Sequence, residues 1–305
     1  MRKVAIIGMG HVGSTVAYTL FTRNLVDELV LFDTNEKKCS AEFGDLRDSL
    51  ARNKSYVKVK EGSWNDLSDT DIIITSFATT DAEMQQKDRF AEFGLNSINA
   101  QKVGPKIKDS GFDGILINIS NPCDAITTIL QKVTDLPKNH VFGTGTNLDT
   151  ARMQRIVGEE LNQDPKNVSG FVLGEHGAAQ FTAWSTVYVN GKSSLNIFDK
   201  EKRDYLSTLP DINSFKVAGG KGYTCYAIAS CAAELIEDIF SDSKSYVPVS
   251  LYLEEVGTYL GYPAIIGKDG VEKIYTLDLP QEEHEKLISA ANKLKDKLKQ
   301  VKNAD

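Results

Sequence analysis

Three side chains in this sequence, His176, Asp149 and Arg152, are of types that together can move a proton and hold a carboxylate. His176 stands in Gly174-Glu175-His176-Gly177, just past a strand-like run, where the glycines let a ligand come close. Asp149 and Arg152 are three positions apart in Leu148-Asp149-Thr150-Ala151-Arg152, at the start of a helical pattern, so they share one helix face. An aspartate beside a histidine orients the ring and stabilises its charged form. An arginine next to both offers a planar fork for a carboxylate. Plainer roles stay open at this point: a satisfied turn histidine at 176, a helix cap at Asp149 and a local salt bridge at Arg152. The other histidines have weaker contexts. His140 precedes a strand and His284 lies among charges on a terminal helix, so both read as structural or exposed; His11 reads as a spacer.

A second constellation concerns phosphate. Gly8-Met9-Gly10-His11-Val12-Gly13 follows a strand-like run directly and opens a helical one. The pattern alone is also that of a tight glycine turn, and its placement between strand and helix is what points to a dinucleotide. The first glycine permits the turn, the second lets the backbone approach a pyrophosphate, and the third lets helix and strand pack closely. Asp33 closes the next strand, 20 residues beyond Gly13. A carboxylate there accepts the adenosine ribose hydroxyls and repels the additional phosphate of NADP, so the expected cofactor is NAD.

These residues need a scaffold. Apolar runs at 4–7, 29–32, 71–75, 114–119 and 141–142 alternate with helical patterns, the first of which puts Val12, Val16 and Leu20 on one face. Continuous apolar strands separated by helices predict a parallel, doubly wound sheet covered on both faces. From about Asn147 the rhythm changes. A helix over 148–161, a strand at 170–173, a hairpin-like stretch at 186–189 turning at Asn190-Gly191 and a helix over 223–239 follow in turn. Strands around Tyr252 and Ile265, a turn at Asp269-Gly270 and a last helix from Gln281 complete the pattern, with Leu287, Ala291, Leu294 and Leu298 on that helix's inner face. The expectation is an α/β Rossmann half over 1–146 and an α+β catalytic half over 147–305. With no Pro- or Gly-rich linker between them, they should form one unit with a cleft.

Composition narrows the function classes. The net charge of −7, from 35 basic and 42 acidic residues, argues against nucleic acid or an anionic membrane as partner. The lysine-rich stretch at 293–302 closes a helix whose first turn carries Glu282, Glu283 and Glu285, an order that suits the helix dipole. Cys39, Cys123, Cys225 and Cys231 show no metal or redox spacing, so no metal site is expected. Cysteine usage and the absence of a leader pattern suggest a cytoplasmic protein, and no apolar run approaches the roughly 20 residues that cross a bilayer.

In order along the chain, the Gly8–Gly13 loop, Asp33, Ser120-Asn121-Pro122, Gly143-Thr144-Gly145-Thr146, Leu148-Asp149-Thr150-Ala151-Arg152, Gly174-Glu175-His176-Gly177 and Lys221-Gly222-Tyr223-Thr224 resemble the L-lactate and malate dehydrogenases. The resemblance covers nearly the full length. The stretches at 143–155, 174–181 and 262–267 are similar, more narrowly, to bacterial L-2-hydroxyisocaproate dehydrogenases. The resemblance implies that His176 gives a proton to a 2-oxo acid, with Asp149 holding its ring and Arg152 binding the carboxylate. It also implies that Arg89, from a mobile loop, polarises the carbonyl, that Asn121 orients substrate and nicotinamide, and that Thr224 lines the pocket. Gly8, Gly10, Val12, Gly13, Asp33, Asn96, Ile119 and Asn121 would contact NAD. A homotetramer, or at least a homodimer, is also implied.

The segment at 79–88 is the expected lid. It holds no second arginine before Arg89, and Asp81 and Glu83 would repel a distal carboxylate, which disfavours oxaloacetate and malate. The lid is about three residues longer than that of ordinary lactate dehydrogenases, judged by setting the arginines in register. Ala178 stands where family members commonly have aspartate. Together these suggest a branched aliphatic 2-oxo acid, with pyruvate as the alternative and a non-catalytic NAD-binding protein as the remote one. Gln154 and Ser169 occupy the positions at which allosteric bacterial relatives place an arginine and a histidine, so no activation by fructose 1,6-bisphosphate is expected.

Overall fold

The structure is a computed structural model that describes residues 1–54, 56–78 and 92–299. The expected lid at 79–88, with Arg89, lies outside the described residues, as does the end of the lysine-rich stretch beyond 299.

Six strands build the first half: β1 (Lys3–Ile7), β2 (Glu28–Phe32), β3 (Lys58–Glu61), β4 (Ile72–Thr75), β5 (Ile115–Asn118) and β6 (Val141–Gly143). All pair in parallel, in the spatial order β3-β2-β1-β4-β5-β6. That is the doubly wound arrangement, in which ligands sit at the carboxyl ends of the strands where the order reverses. β1, β2, β4, β5 and β6 are buried along their whole lengths. Helices on both faces remove water from a central parallel strand, so only uniformly apolar runs suit it. The covering helices here are α1 (His11–Thr22), α2 (Glu36–Asp48), α3 (Phe93–Asp109) and α4 (Cys123–Thr134).

Past α5 (Asn147–Leu161) the strands turn antiparallel: β7 (Val168–Gly174), β8 (Gln180–Val189), β9 (Lys192–Ser193), β10 (Ser245–Leu253), β11 (Thr258–Gly267) and β12 (Gly270–Ile274). They continue the first sheet. β10 joins β6 through the single register pair Ser250–Gly143, and β11 joins β7 through Gly261–Gly174. One apolar core packs against β1–β6, β10 and β11, and a smaller cluster around Met153, Val172, Trp184 and Phe198 packs between α5 and the β7–β8 hairpin.

The hairpin, the final helix α8 (Gln281–Lys299) and the strands about Tyr252 and Ile265 fall where periodicity places them. Three features differ. The first is β3, an edge strand with only Val59 buried, which the apolar runs at 4–7, 29–32, 71–75, 114–119 and 141–142 do not include. The helix read over 223–239 is α7 (Tyr226–Ser241), so Tyr223 and Thr224 lie in the connection before it. That connection follows a 22-residue helix, α6 (Lys200–Lys221), which sequence patterning does not announce. α6 buries only Leu206 and Pro210 and includes Pro210, Gly219 and Gly220, so neither apolar period nor propensity marks it. Among the described residues, no helix is long and apolar enough to cross a membrane.

Candidate active site

The glycine loop sits between the carboxyl ends of β1 and β4, where the strand order reverses. Gly8 has a φ of +107°, and a Cβ there would lie 2.6 Å from the Ser76 carbonyl oxygen, so no side chain fits. A Cβ on Gly13 would lie 1.9 Å from the Gly8 carbonyl oxygen, which is the close helix–strand approach expected of the third glycine. At Gly10 a Cβ would meet nothing within 4 Å. The open face of Gly10, at the N-terminus of α1, is therefore the place where an anion can approach backbone amides. Val12 packs its side chain against the core.

Asp33 follows β2 and holds this loop: one carboxylate oxygen accepts from the Met9 amide at 2.7 Å and the other from the Asn35 amide at 2.8 Å. A carboxylate offers about four acceptor sites, so two amides leave it capacity for ribose hydroxyls. His11, read as a spacer, stacks on Tyr223, with ring centroids 3.7 Å apart and planes 4° from parallel. Partial burial, with Lys38 and Lys221 nearby, holds the His11 pKa below its ordinary value. The stack ties the glycine loop to the segment that carries Thr224.

At the end of β5, buried Asn118 shapes the Ser120-Asn121-Pro122 turn. Its amide oxygen accepts from the Ser120 amide at 3.0 Å, and its Nδ2 donates to the Ser120 and Cys123 carbonyls at 3.1 Å. The Ile119 amide is held by the Thr75 carbonyl at 2.8 Å. Asn96, on α3, donates to the Asn121 carbonyl at 2.7 Å, so Asn96 and Asn121 meet. Asn96 Oδ1 and Ser120 Oγ are buried with no partner among the described residues. Such orphans are uncommon in a finished core and suit a polar ligand. Open amides, a spare carboxylate and unsatisfied polar atoms fit a dinucleotide.

The second constellation closes through space. Asp149, in the first turn of α5, is fully buried, and its two oxygens take different partners. Oδ2 meets His176 Nδ1 at 2.5 Å, and Oδ1 accepts from Arg152 Nη1 at 2.9 Å. Thr146, not Asp149, occupies the N-cap position of the helix, so the cap alternative falls. The local Arg152 bridge does exist, as half of a three-membered set. His176 and Arg152 keep 12% and 14% side-chain exposure, enough to touch a ligand while their counter-ion stays dry. Thr224 is half-buried in the connection before α7.

His140 contacts the Asp113 carbonyl and His284 meets Glu255, both near the surface. Burial pushes the Cys123 and Cys231 thiols up to about 12 and the Cys39 thiol to about 11, which makes all three inert. No cluster of three or more His, Cys, Asp or Glu that could hold a metal occurs among the described residues. Asn118 and Asp124 were not singled out from sequence. Asp124 carries the only hint, a carboxylate two residues after Pro122 opening an otherwise apolar helix.

Two family models match the chain: the lactate/malate dehydrogenase NAD binding domain over residues 2–143, and the lactate/malate dehydrogenase alpha/beta C-terminal domain over 146–304. The chain is 36% identical to L-lactate dehydrogenase 1 of Bifidobacterium longum over 301 residues, 95% of each chain. It is also 36% identical to L-lactate dehydrogenase 3 of Bacillus cereus over 313 residues, 98% of each. Among solved structures, the minor L-lactate dehydrogenase of Enterococcus mundtii superposes with a TM-score of 0.92 at 30% identity, covering 99% of both chains. A lactate dehydrogenase from a deep-sea metagenome library gives 0.92 at 29% identity, over 98% of this chain and 99% of the other. The cofactor is NAD, and the chain belongs to the lactate/malate dehydrogenase family.

Proposed function

We propose that this protein is an NAD-dependent L-2-hydroxy acid dehydrogenase that interconverts pyruvate and L-lactate. The observation that carries the reading is the buried Asp149 carboxylate shared between His176 and Arg152. It places a proton donor and a carboxylate-binding fork side by side, the two groups that a 2-oxo acid requires. Bound NADH supplies the hydride.

Arg152 binds the substrate carboxylate through the guanidinium nitrogens that it does not spend on Asp149. His176, oriented by Asp149 at Nδ1, presents Nε2 to the carbonyl oxygen and gives up its proton as that oxygen becomes a hydroxyl. Asp149 holds the ring at Nδ1 and places its carboxylate charge beside it. Asn121 and Thr224 orient the substrate, and Arg89 polarises its carbonyl. Gly8, Gly10, Val12, Gly13 and Asp33, with Asn96, Ile119 and Asn121, hold the cofactor.

The names of the relatives support pyruvate better than the branched 2-oxo acid of the hydroxyisocaproate type, which rests on the lid length and on Ala178. Ala178 is exposed beside His176 and brings no charge to the site, so it is the one structural point in the branched reading's favour. A homodimer or homotetramer suits the exposed Ile212, Phe215 and Val217 on α6, and light scattering on the eluted protein would count the subunits.

The deciding experiment measures NADH oxidation with pyruvate, 4-methyl-2-oxopentanoate and oxaloacetate side by side. The highest kcat/KM is expected for pyruvate. A higher value for the branched acid would move the assignment to that substrate, and no turnover of any would leave an NAD-binding protein without this activity.

A further inference from the structure

The His176 ring is fixed by Asp149, but a ring is held only as well as its backbone. Beneath the catalytic loop lies a second buried carboxylate. Asp124, in the first turn of α4, is 1% exposed, and its Oδ2 accepts from the His176 backbone amide at 2.7 Å. Its Oδ1 accepts from the Ser250 hydroxyl at 2.6 Å. Ser250 is the β10 residue that pairs with Gly143 of β6, where the sheet passes from parallel to antiparallel. One carboxylate thus ties the helix that follows the Asn121 turn, the strand at the junction of the two halves, and the catalytic histidine.

The loop has a second grip of the same kind. Glu175, 4% exposed, folds back so that Oε2 accepts from the Ala179 amide at 3.2 Å, with Lys297 of α8 3.8 Å from Oε1. Two carboxylates buried close together are costly. Burial first, and then the charge of Glu175, push the Asp124 pKa up to about 7 against the donors Ser250 and His176. That cost is borne where particular donors need an acceptor, here the His176 amide and the Ser250 hydroxyl, which an apolar residue would leave unpaired.

We propose that Asp124, supported by Ser250, is a positioning residue that sets the backbone of His176 and thereby aims its ring. Asp124 and Asp149 hold the same residue at two points, main chain and ring, from two different helices. With both in place the ring has one orientation. With only the ring held, the loop can shift by a fraction of an ångström and carry Nε2 with it. Misplacement on the scale of 1 Å costs a reaction about 100-fold.

This inference rests on the reading of His176 as proton donor, and the test separates the two. Asp124→Ala, Asp124→Asn and Ser250→Ala are compared with wild type and His176→Ala, with pyruvate as the oxo acid. The readouts are kcat, KM, NADH affinity by fluorescence, and Tm. Asp124→Ala is expected to lower kcat roughly 10- to 100-fold while KM and NADH affinity stay within about threefold. Asp124→Asn keeps an acceptor for the His176 amide and should recover most of that loss. Ser250→Ala should lower kcat a few-fold, again without a change in NADH affinity.

Wild-type kcat in Asp124→Ala would overturn the proposal. So would equal losses of Tm, NADH affinity and kcat in both Asp124 variants, which is what a purely structural residue produces. If Asp124→Ala does not fold, an unchanged kcat in Ser250→Ala overturns the proposal and a selective drop supports it. Turnover retained by His176→Ala would remove the proton-donor reading itself, whatever the Asp124 variants do.

Discussion

The two ends of this site are built from different materials. Around the glycine loop the work is done by backbone: a φ of +107° at Gly8, a Gly13 pressed against the Gly8 carbonyl, and amides left open at Gly10. Around His176 it is done by side chains that are far apart in sequence. Asp149 is 27 residues away, Asp124 is 52 away, and Ser250 is a further 126 from Asp124. A pyrophosphate is large, multiply charged and adequately held by several amides at once. A single proton transfer needs one ring at one angle, which only converging side chains can impose.

The sharpest break in that comparison is expected at His176. His176→Ala should lower kcat by about 10³-fold, within the usual range for losing a general acid, while NADH affinity stays near wild type. Stopped-flow reduction with pyruvate and a fluorescence titration check the two halves of this statement. Near-normal turnover would dissolve the distinction between a catalytic end and a binding end.

Within the backbone end, Gly8 and Gly10 should separate. Gly8→Ala forces a strained φ and a clash with the Ser76 carbonyl, so a destabilisation of about 2–4 kcal/mol is expected, read as a lowered Tm. Gly10→Ala adds a methyl to open space in a backbone conformation that alanine accepts, with φ −69°. Its Tm should be unchanged and its NADH affinity reduced about tenfold, because the methyl occupies the path of the pyrophosphate. Equal losses of Tm in both would mean that Gly10 is a folding glycine too.

A smaller effect distinguishes the carboxylate end by pH. Asp124 has a folded-state pKa of about 7 against an ordinary 3.8, with Glu175 and Ser250 facing it. Between those values the folded state keeps a proton that the unfolded chain has released, so this group's contribution to stability falls as pH rises across that window and is level above it. Asp124→Asn removes the slope. The variant's Tm, relative to wild type, should therefore climb from pH 4 to pH 7 and then stay constant, a swing of at most about 4 kcal/mol. A difference that does not vary with pH would show that Asp124 is ionised throughout.

The smallest expected effect is none. Gln154, bonded to the Val168 carbonyl at 2.9 Å, and its neighbour Ser169 bring no positive charge to the surface where α5 meets β7. Fructose 1,6-bisphosphate should leave the pyruvate saturation curve unchanged, and a marked fall in KM would show a phosphate site built from other residues.

How much of this was legible in the sequence follows from the same difference. The parallel sheet and the positions of β1, β2, β4, β5 and β6 were readable because burial on both faces demands unbroken apolar runs, as in Val4-Ala5-Ile6-Ile7, whereas the edge strand β3, with only Val59 buried, was not. The glycine loop was readable because steric constraints on glycine act within a few residues. Asp149 and Arg152 could be paired by helical spacing, and His176 was singled out by its neighbours. Asp33 was read as a ribose acceptor, but its hold on the Met9 amide was not. The helix Lys200–Lys221 was invisible, because a helix that buries only two of its side chains leaves no apolar period to detect.

Sequence by itself therefore determined which chemistry the chain carries: a strand–glycine–helix unit, an acid at the end of the second strand, and a histidine, an aspartate and an arginine of the right types. Tertiary structure decided which of those groups share atoms. Asp149 could have capped its helix. Instead, the continuation of the sheet from β6 through β10 and β11 to β7 carries the His176 loop over α5 and α4, so that Asp149 meets its ring and Asp124 its main chain. Contacts made across 27 and 52 residues depend on strand order and register, which are set by the packing of the whole sheet and leave no mark on local spacing.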